Sequence, residues 1–191
     1  MASMTSIVEF VSGTPQFRIT EDGSGSAPSY CFYSQADLED DLRGMCSSKG
    51  DGKRVRTFDS VRTTSTGSVV FSLLSGIAAI VQPEHSGYLL TQNYVTLVPS
   101  DDIDSRYLVY LINENRHIRR QLRMGQQGST ILKYTLRQLN DLEVPRILPA
   151  EKQRLIGRLY ADQLRLDALR KRASDLETAL TLETIREVEQ S

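Results

Sequence analysis

The chain has 191 residues, of which 39% are hydrophobic and 25% are charged, and its formal net charge is −1. This length suits one domain with an appendage, and the composition is typical of a globular protein rather than a disordered one. No apolar run approaches the roughly 20 residues that span a bilayer, and the opening MASMTSIVEF lacks the basic region and apolar core of a secretory signal. We therefore expect a cytoplasmic protein with no membrane partner.

The small net charge conceals bands of alternating sign. Residues 1–42 sum to −6, residues 43–62 to +4, residues 63–104 to −4 and residues 105–140 to +6. Because a polyanion responds to local patches more than to the total charge, two basic bands leave nucleic acid open as a partner.

The first 148 residues alternate short strands with helices, which predicts a mixed domain built on small sheets. The predicted strands are SIVEFV, SYCFY, VRTFDSV, SVVFSLL, AAIVQ and YVTLVP. SQADLEDDLRG predicts a helix that Ser34 caps and Gly44 ends. SRYLVYLINENRHIRRQLRM predicts one continuous helix that ends before Gly125, and TLRQLNDL predicts a shorter one.

The last part of the chain predicts a single long helix with Pro149 at its first position. Fold class is therefore α+β: a mixed small-sheet domain over residues 1–148, followed by a long C-terminal coiled-coil helix over residues 149–191. Apolar residues alternate at spacings of four and three along it, with Asp162 as the polar exception, and form a seam. The seam consists of Leu155, Leu159, Leu166, Leu169, Ala173, Leu176 and Leu180.

Charge along this helix favours one orientation of pairing. Residues 151–172 sum to +4 and residues 173–191 to −4, so antiparallel self-pairing sets the basic half against the acidic half. The expected arrangement is an antiparallel homodimer, or pairing with a similar helix of another chain. The alternative is a helix that folds back on its own domain.

Residues with catalytic or metal-binding chemistry are sparse. Cys31, Cys46, His85 and His117 have no metal-ligand spacing between them, and neither a phosphate-binding glycine loop nor a nucleophile elbow occurs. The acidic run DLEDD is interpreted as a helix face or first turn, and His85 as a loop residue. We expect no catalytic residue, no metal and no cofactor, and so not an enzyme.

The order of these segments resembles the specificity (S) subunits of type I restriction–modification enzymes. The resemblance lies in GSVVFSLLSGIAAIV, then YLLTQNYVTLVPSDDIDSRYLVYLINENRHIRRQL, then GQQGSTILKYTLRQLNDLEVPRILPAEKQRLIGRLY. It covers nearly the whole chain, although such subunits usually carry two target-recognition domains and two antiparallel helices, whereas this chain has one of each. It looks like half a specificity subunit.

The resemblance implies a subunit without chemistry of its own, which reads one half of a bipartite site in double-stranded DNA. It implies as partners the DNA methyltransferase (modification) subunits and the restriction and motor subunit. An alternative is a degenerate recognition domain that acts as a protein-interaction or assembly-modulating module for methyltransferase subunits.

Residues for DNA contact are expected in the two basic bands, where lysine and arginine neutralise phosphates and polar side chains read base edges. The candidates are Lys53, Arg54, Arg56, Arg62, Thr63, Thr64, Arg119, Arg120, Arg123, Gln126, Gln127, Ser129, Thr130, Lys133 and Tyr134. Two simpler interpretations remain open: the three arginines of the second band suit a helix C-terminus without DNA, and the first band suits a solvated strand and turn. Gln92 and Asn93 are expected to hold a turn.

Overall fold

An antiparallel sheet of four strands forms the centre of the molecule in this computed structural model, which describes residues 2–46, 52–125 and 133–190. The strands are β1 Ala2–Ser3, β2 Val8–Ser12, β3 Ser29–Cys31, β4 Arg54–Arg56, β5 Val69–Ser72, β6 Ala78–Ile80, β7 Tyr94–Pro99 and β8 Glu143–Val144. The helices are α1 Gln35–Arg43, α2 Ser105–Glu114, α3 Arg116–Met124, α4 Leu136–Asn140 and α5 Ala150–Glu189. Short 3-10 turns occur at Met4–Ser6, Gln16–Arg18 and Pro83–His85. The expected α+β class is confirmed.

The central sheet has the order β2-β7-β5-β6 and is covered on both faces. Along β5, Val69 and Phe71 belong to a core shared with α2 and α3, whereas Val70 belongs to a second core with Tyr33 and Leu38 on the side of α1. Since successive side chains in a strand point to opposite faces, a fully apolar run such as VVF is required here. The run SVVFSLLSGIAAIV was therefore correctly predicted as buried strands.

Two smaller ladders extend this core. β1 pairs with β8, which ties the beginning of the chain to the segment before α5. β3 pairs antiparallel with β4, so that Cys31 lies opposite Arg54 and Ser29 opposite Arg56. The predicted strand VRTFDSV is shorter than expected, because only Arg54–Arg56 finds a pairing partner.

The ends of helix α1 follow the prediction. The Ser34 side chain accepts a hydrogen bond from the Asp37 amide, and the Asp37 carboxylate accepts one from the Ser34 amide, which makes a capping box. Gly44 ends the helix in the left-handed conformation, with φ of 60°.

The prediction of one helix from Ser105 to Met124 is wrong. Asn115 has extended backbone angles, φ −62° and ψ 119°, and separates α2 from α3. Its side-chain oxygen accepts hydrogen bonds from the amides of His117 and Ile118, so it caps α3 as it ends α2. One apolar stripe continues across the break, since Leu108, Leu111, Ile118 and Leu122 are all buried.

Helix α5 runs without interruption for 40 residues, about 60 Å at 1.5 Å per residue. Pro149 is the residue before the helix rather than its first position, with ψ of 146°. Within the described part of the chain, no helix is both long enough and apolar enough to cross a membrane.

Candidate nucleic-acid interface

The β3–β4 ladder presents basic side chains on one face. Arg54 and Arg56 lie two residues apart on β4 and are exposed, while Val55 between them is buried. Lys53 precedes them, and its ammonium lies 5.4 Å from the centroid of the Phe32 ring. The strand period therefore places the two arginines on the same solvated face.

Two loop segments, residues 14–22 and 56–62, run beside each other next to this ladder, and we call them the loop pair. The amide of Arg62 donates to the Thr14 hydroxyl at 2.8 Å, and the amide of Thr20 donates to the Asp59 carboxylate at 2.7 Å. The Asp22 amide donates to the carbonyl of Arg56 at 2.8 Å. These bonds fix the loops against each other, with Arg62 and Thr63 exposed at one end.

Two of the three acidic side chains of the loop pair are held by internal hydrogen bonds, while Glu21 is exposed. The hydroxyl of Ser24 and then the amide of Ala27 lower the pKa of Asp22, and the Thr20 amide lowers that of Asp59. No ion pair involving a basic side chain of this surface occurs among the residues that the structure describes. Because these hydrogen-bond donors are neutral, the two carboxylates remain charged. The loop pair carries three bases and three acids, so the positive excess of this surface comes from the neighbouring Lys53 and Arg54.

Two of the expected DNA contacts lie inside the protein. Thr64 is only 3% exposed; its hydroxyl donates to the His85 carbonyl and accepts a hydrogen bond from the Tyr88 amide at 2.9 Å. Tyr134 is 6% exposed and packs edge-on against Phe71. Both side chains hold the core, so neither offers a surface to DNA.

The second basic band divides into structural and exposed members. The Arg119 guanidinium donates to the Gly76 carbonyl at 2.7 Å, and the Lys133 ammonium donates to the Asn93 side chain at 2.8 Å. Arg120 and Arg123 are exposed, although Nε of Arg123 also donates to the Arg119 carbonyl at 3.2 Å, as expected near a helix C-terminus.

The remaining candidates of the second band lie outside the described residues; they are Gln126, Gln127, Ser129 and Thr130.

The apolar seam of α5 faces away from the rest of the chain. All seven residues of the seam are exposed, and Leu176 and Leu180 are 61% and 70% exposed. The opposite face of the helix, from Gln153 through Gly157, Tyr160 and Leu164, packs against α2 and α1. The helix therefore folds partly onto its own domain and still leaves the predicted seam open.

Sequence reasoning missed the residue that fixes the start of α5. Gln153 is 2% exposed, and its amide nitrogen donates to the carbonyls of Asp102 and Leu148 at 2.9 Å and 2.8 Å. The feature in the sequence that could have indicated this role is the helical spacing of Gln153 from Gly157, Tyr160 and Leu164, which places it on the packed face.

A buried polar cluster was also missed. Asp41 accepts hydrogen bonds from the Tyr33 hydroxyl at 2.7 Å and the Gln82 amide at 3.0 Å, and its other contact is Nδ1 of His85 at 2.7 Å. Burial raises the pKa of Asp41, and these hydrogen bonds oppose the rise. DLEDD lies on helix α1 with Asp37 in the first turn, and His85 lies in the turn Pro83–His85, as interpreted. The sequence did not indicate that the side chains of Asp41 and His85 are buried. No group of three or more side chains suited to a metal ion occurs in the described ranges.

No protein-family model matches this sequence, and no curated protein matches it. Solved structures do match in fold. The HsdS subunit from Thermoanaerobacter tengcongensis is 18% identical, with a TM-score of 0.58 over 90% of this chain. A chain from a study of complex assembly and conformational transition of the type I R-M system is 18% identical, with a TM-score of 0.59 over 96%. The type I restriction–modification S subunit from M. genitalium is 16% identical, with a TM-score of 0.52 over 95%.

The match covers at least 90% of this chain and less than half of each of the other chains. The chain covers 39%, 42% and 41% of those three proteins. It therefore has the fold found in less than half the length of type I restriction–modification S subunits.

Proposed function

We propose that this protein is a non-catalytic DNA-recognition subunit of a type I restriction–modification system. The observation that carries the proposal is the fold likeness to S subunits, which runs from the small sheets through the long helix. In this proposal residues 1–148 form the target-recognition domain and residues 149–191 the spacer helix. The subunit reads one half of a bipartite DNA site and positions methyltransferase subunits, and the restriction and motor subunit, on it.

The exposed part of the first basic band supports a DNA-facing surface. Lys53, Arg54, Arg56, Arg62 and Thr63 all lie near the loop pair, so they can meet the phosphates of one duplex together. Each neutralised phosphate releases counterions, which makes such binding depend strongly on salt. Arg120 and Arg123 are the exposed candidates of the second band, and Arg119 and Lys133 act by holding the fold.

Antiparallel pairing of two copies through α5 accounts for the open seam. Reversing the helix maps six of the seven seam positions onto one another, so that Leu155 meets Leu180, Leu159 meets Leu176 and Leu166 meets Leu169 of the second copy. The same reversal sets residues 151–162, which sum to +1, against residues 173–184, which sum to −3, while residues 163–172, which sum to +3, face the same segment of the second copy. Two copies then carry two recognition domains related by a twofold axis, which predicts identical half-sites in inverted orientation.

A second candidate function is an assembly-modulating module for methyltransferase subunits with little DNA contact. The observation that favours it is the internal use of basic-band residues: Thr64, Arg119, Lys133 and Tyr134 all support the fold. In that case the helix, rather than the basic surface, is the functional part.

Selection from a random-sequence duplex pool separates the two candidates. The protein is mixed with the pool alone and together with its cognate modification subunit. Enrichment of a bipartite sequence supports the recognition subunit. Stable co-purification with the modification subunit, unaffected by nuclease and accompanied by no enrichment, supports the module and counts against DNA recognition.

A further inference from the structure

Two phenylalanines lie almost entirely in solvent. Phe17 is 83% exposed and Phe58 is 71% exposed, whereas Phe71 is fully buried and Phe10 and Phe32 are partly buried. A single exposed apolar residue is ordinary on a protein surface. Two large aromatic side chains exposed to this degree on adjoining loops indicate a contact that the isolated chain lacks.

The backbone holds both phenylalanines in place. Phe17 lies in the turn Gln16–Arg18, where the Gln16 amide donates to the Gln92 side chain at 2.8 Å. Phe58 lies between buried Thr57, whose amide donates to the Pro28 carbonyl at 3.2 Å, and Asp59, which is bonded to Thr20. Both aromatic residues thus belong to the loop pair, and their exposure is built into its hydrogen bonding.

The charges around these rings are mixed, with Asp59 directly after Phe58 and a positive excess on the side of Lys53 and Arg54. The Arg18 guanidinium carbon lies 5.6 Å from the centroid of the Phe17 ring. Arg56 and Arg62 flank Phe58 along the chain, and Arg18 and Arg62 are exposed. The loop pair, the adjoining ladder and Lys53 together carry five bases and three acids, and this positive excess beside two exposed rings favours a polyanion that has flat apolar faces.

We propose that Phe17 and Phe58 are apolar wedges that press against base pairs of duplex DNA, while Arg18 and Arg62 hold the adjacent phosphates. The inference rests on the proposed DNA-recognition function and adds to it a mode of contact and two aromatic residues that were not among the predicted DNA contacts. Proteins that distort DNA use phenylalanine in this manner, because an apolar ring replaces part of the stacking that it disrupts.

Salt dependence distinguishes wedges from phosphate contacts. A fluorescein-labelled random-sequence duplex is titrated with the wild type, with Phe17→Ala/Phe58→Ala and with Arg18→Ala/Arg62→Ala over a series of salt concentrations. The phenylalanine double variant is expected to bind about tenfold more weakly with an unchanged salt slope, because aromatic contacts are apolar. The arginine double variant is expected to lower the slope by about two, roughly one for each lost phosphate contact.

A matched control removes an exposed apolar residue elsewhere. Val98 is 44% exposed on β7, and Val98→Ala should bind the duplex like the wild type. Thermal unfolding of each variant identifies any loss of affinity that comes from misfolding. Phe17→Leu/Phe58→Leu, which keeps the apolar volume, should recover most of the binding.

A spectroscopic readout completes the test. With 2-aminopurine distributed in the duplex, the wild type should raise its fluorescence by unstacking bases, and the phenylalanine double variant should not. If the phenylalanine double variant binds the duplex as tightly as the wild type and raises the fluorescence as much, the wedge proposal is wrong, whereas the DNA-recognition proposal still holds. A wild type that binds no duplex at all would overturn both, and loss of modification-subunit binding with DNA binding intact would assign the rings to a protein interface.

Discussion

The side chain of Gln153 accepts a hydrogen bond from the backbone amide of Asp104, 3.0 Å away, and so joins the start of α5 to the residue that caps α2. The other end of the same amide group donates to two backbone carbonyls. All three bonds are sheltered from water, and together they set the direction in which the long helix leaves the domain.

Replacing Gln153 should therefore weaken both the fold and the helix attachment. Gln153→Ala leaves buried backbone groups without partners, and we expect a loss of about 1–3 kcal/mol in the free energy of unfolding. Gln153→Glu should lose more, because a carboxylate cannot donate to the carbonyls of Asp102 and Leu148. Urea denaturation measures the effect, with the exposed Gln163→Ala as control; equal midpoints for Gln153→Ala and the control would contradict this role.

The crossing of α2 and α5 depends on a residue without a side chain. A Cβ atom at Gly157 would lie 2.7 Å from both the Arg106 Cβ and the Tyr107 backbone nitrogen. Alanine favours helix over glycine by up to about 1 kcal/mol, but overpacking costs about 1–3 kcal/mol. Gly157→Ala is therefore expected to be destabilising overall.

Calorimetry of Gly157→Ala beside Ser174→Ala checks this reasoning. Ser174 lies on an exposed part of the same helix, so its replacement should have little effect or a slightly favourable one. A higher melting temperature for Gly157→Ala would show that the two helices can separate without cost.

Pattern and propensity were enough to predict much of this molecule. The strands around Phe71, the caps of α1 and the length of α5 all follow from local sequence, because each depends on periodicity or on a neighbour a few residues away. Asn115 shows where prediction from periodicity fails. The apolar stripe continues on both sides of it, and the break between α2 and α3 arises because its side chain accepts hydrogen bonds from the amides that follow.

Long-range contacts could not be predicted in the same way. Asp41 and His85 are 44 residues apart and meet only because α1 packs beside the turn Pro83–His85. Thr64 and Tyr134 looked like surface residues for the same reason. At the candidate interface, the basic strand Arg54–Arg56 was predictable, whereas the exposure of Phe17 and Phe58 depends on hydrogen bonds between distant loops.

The antiparallel model of α5 predicts which positions meet. In a Cys46→Ser background, Leu159→Cys and Leu176→Cys are made as separate proteins. Each alone should cross-link poorly, and an oxidised mixture should give a mixed disulfide dimer, because position 159 of one copy faces position 176 of the other.

Parallel helices give the opposite pattern, with each cysteine variant cross-linking to itself. A lone monomer gives neither product. Gln163→Cys and Ser174→Cys place control cysteines at exposed positions away from the seam. These variants should not cross-link, either alone or mixed.

We expect acid to lower the stability that Asp22 and Asp59 give to the loop pair. The pKa values of Asp22 and Asp59 lie below their ordinary value of 3.8, because hydroxyl and amide donors stabilise the ionised carboxylates in the folded protein. The unfolded chain therefore binds protons first as pH falls. Stability from these groups is present above the ordinary value and is lost as pH falls through the lowered, folded-state pKa.

Asp22→Asn and Asp59→Asn should accordingly be less stable than the wild type near neutral pH, and the difference should shrink as pH falls below 3.8. Urea denaturation at a series of pH values measures it, with the exposed Asp101→Asn as control. If the difference in stability between wild type and variants stays constant across this pH range, the two side chains stabilise the loop pair by their shape rather than by their charge. In that case acid would also leave the backbone under Phe17 and Phe58 intact.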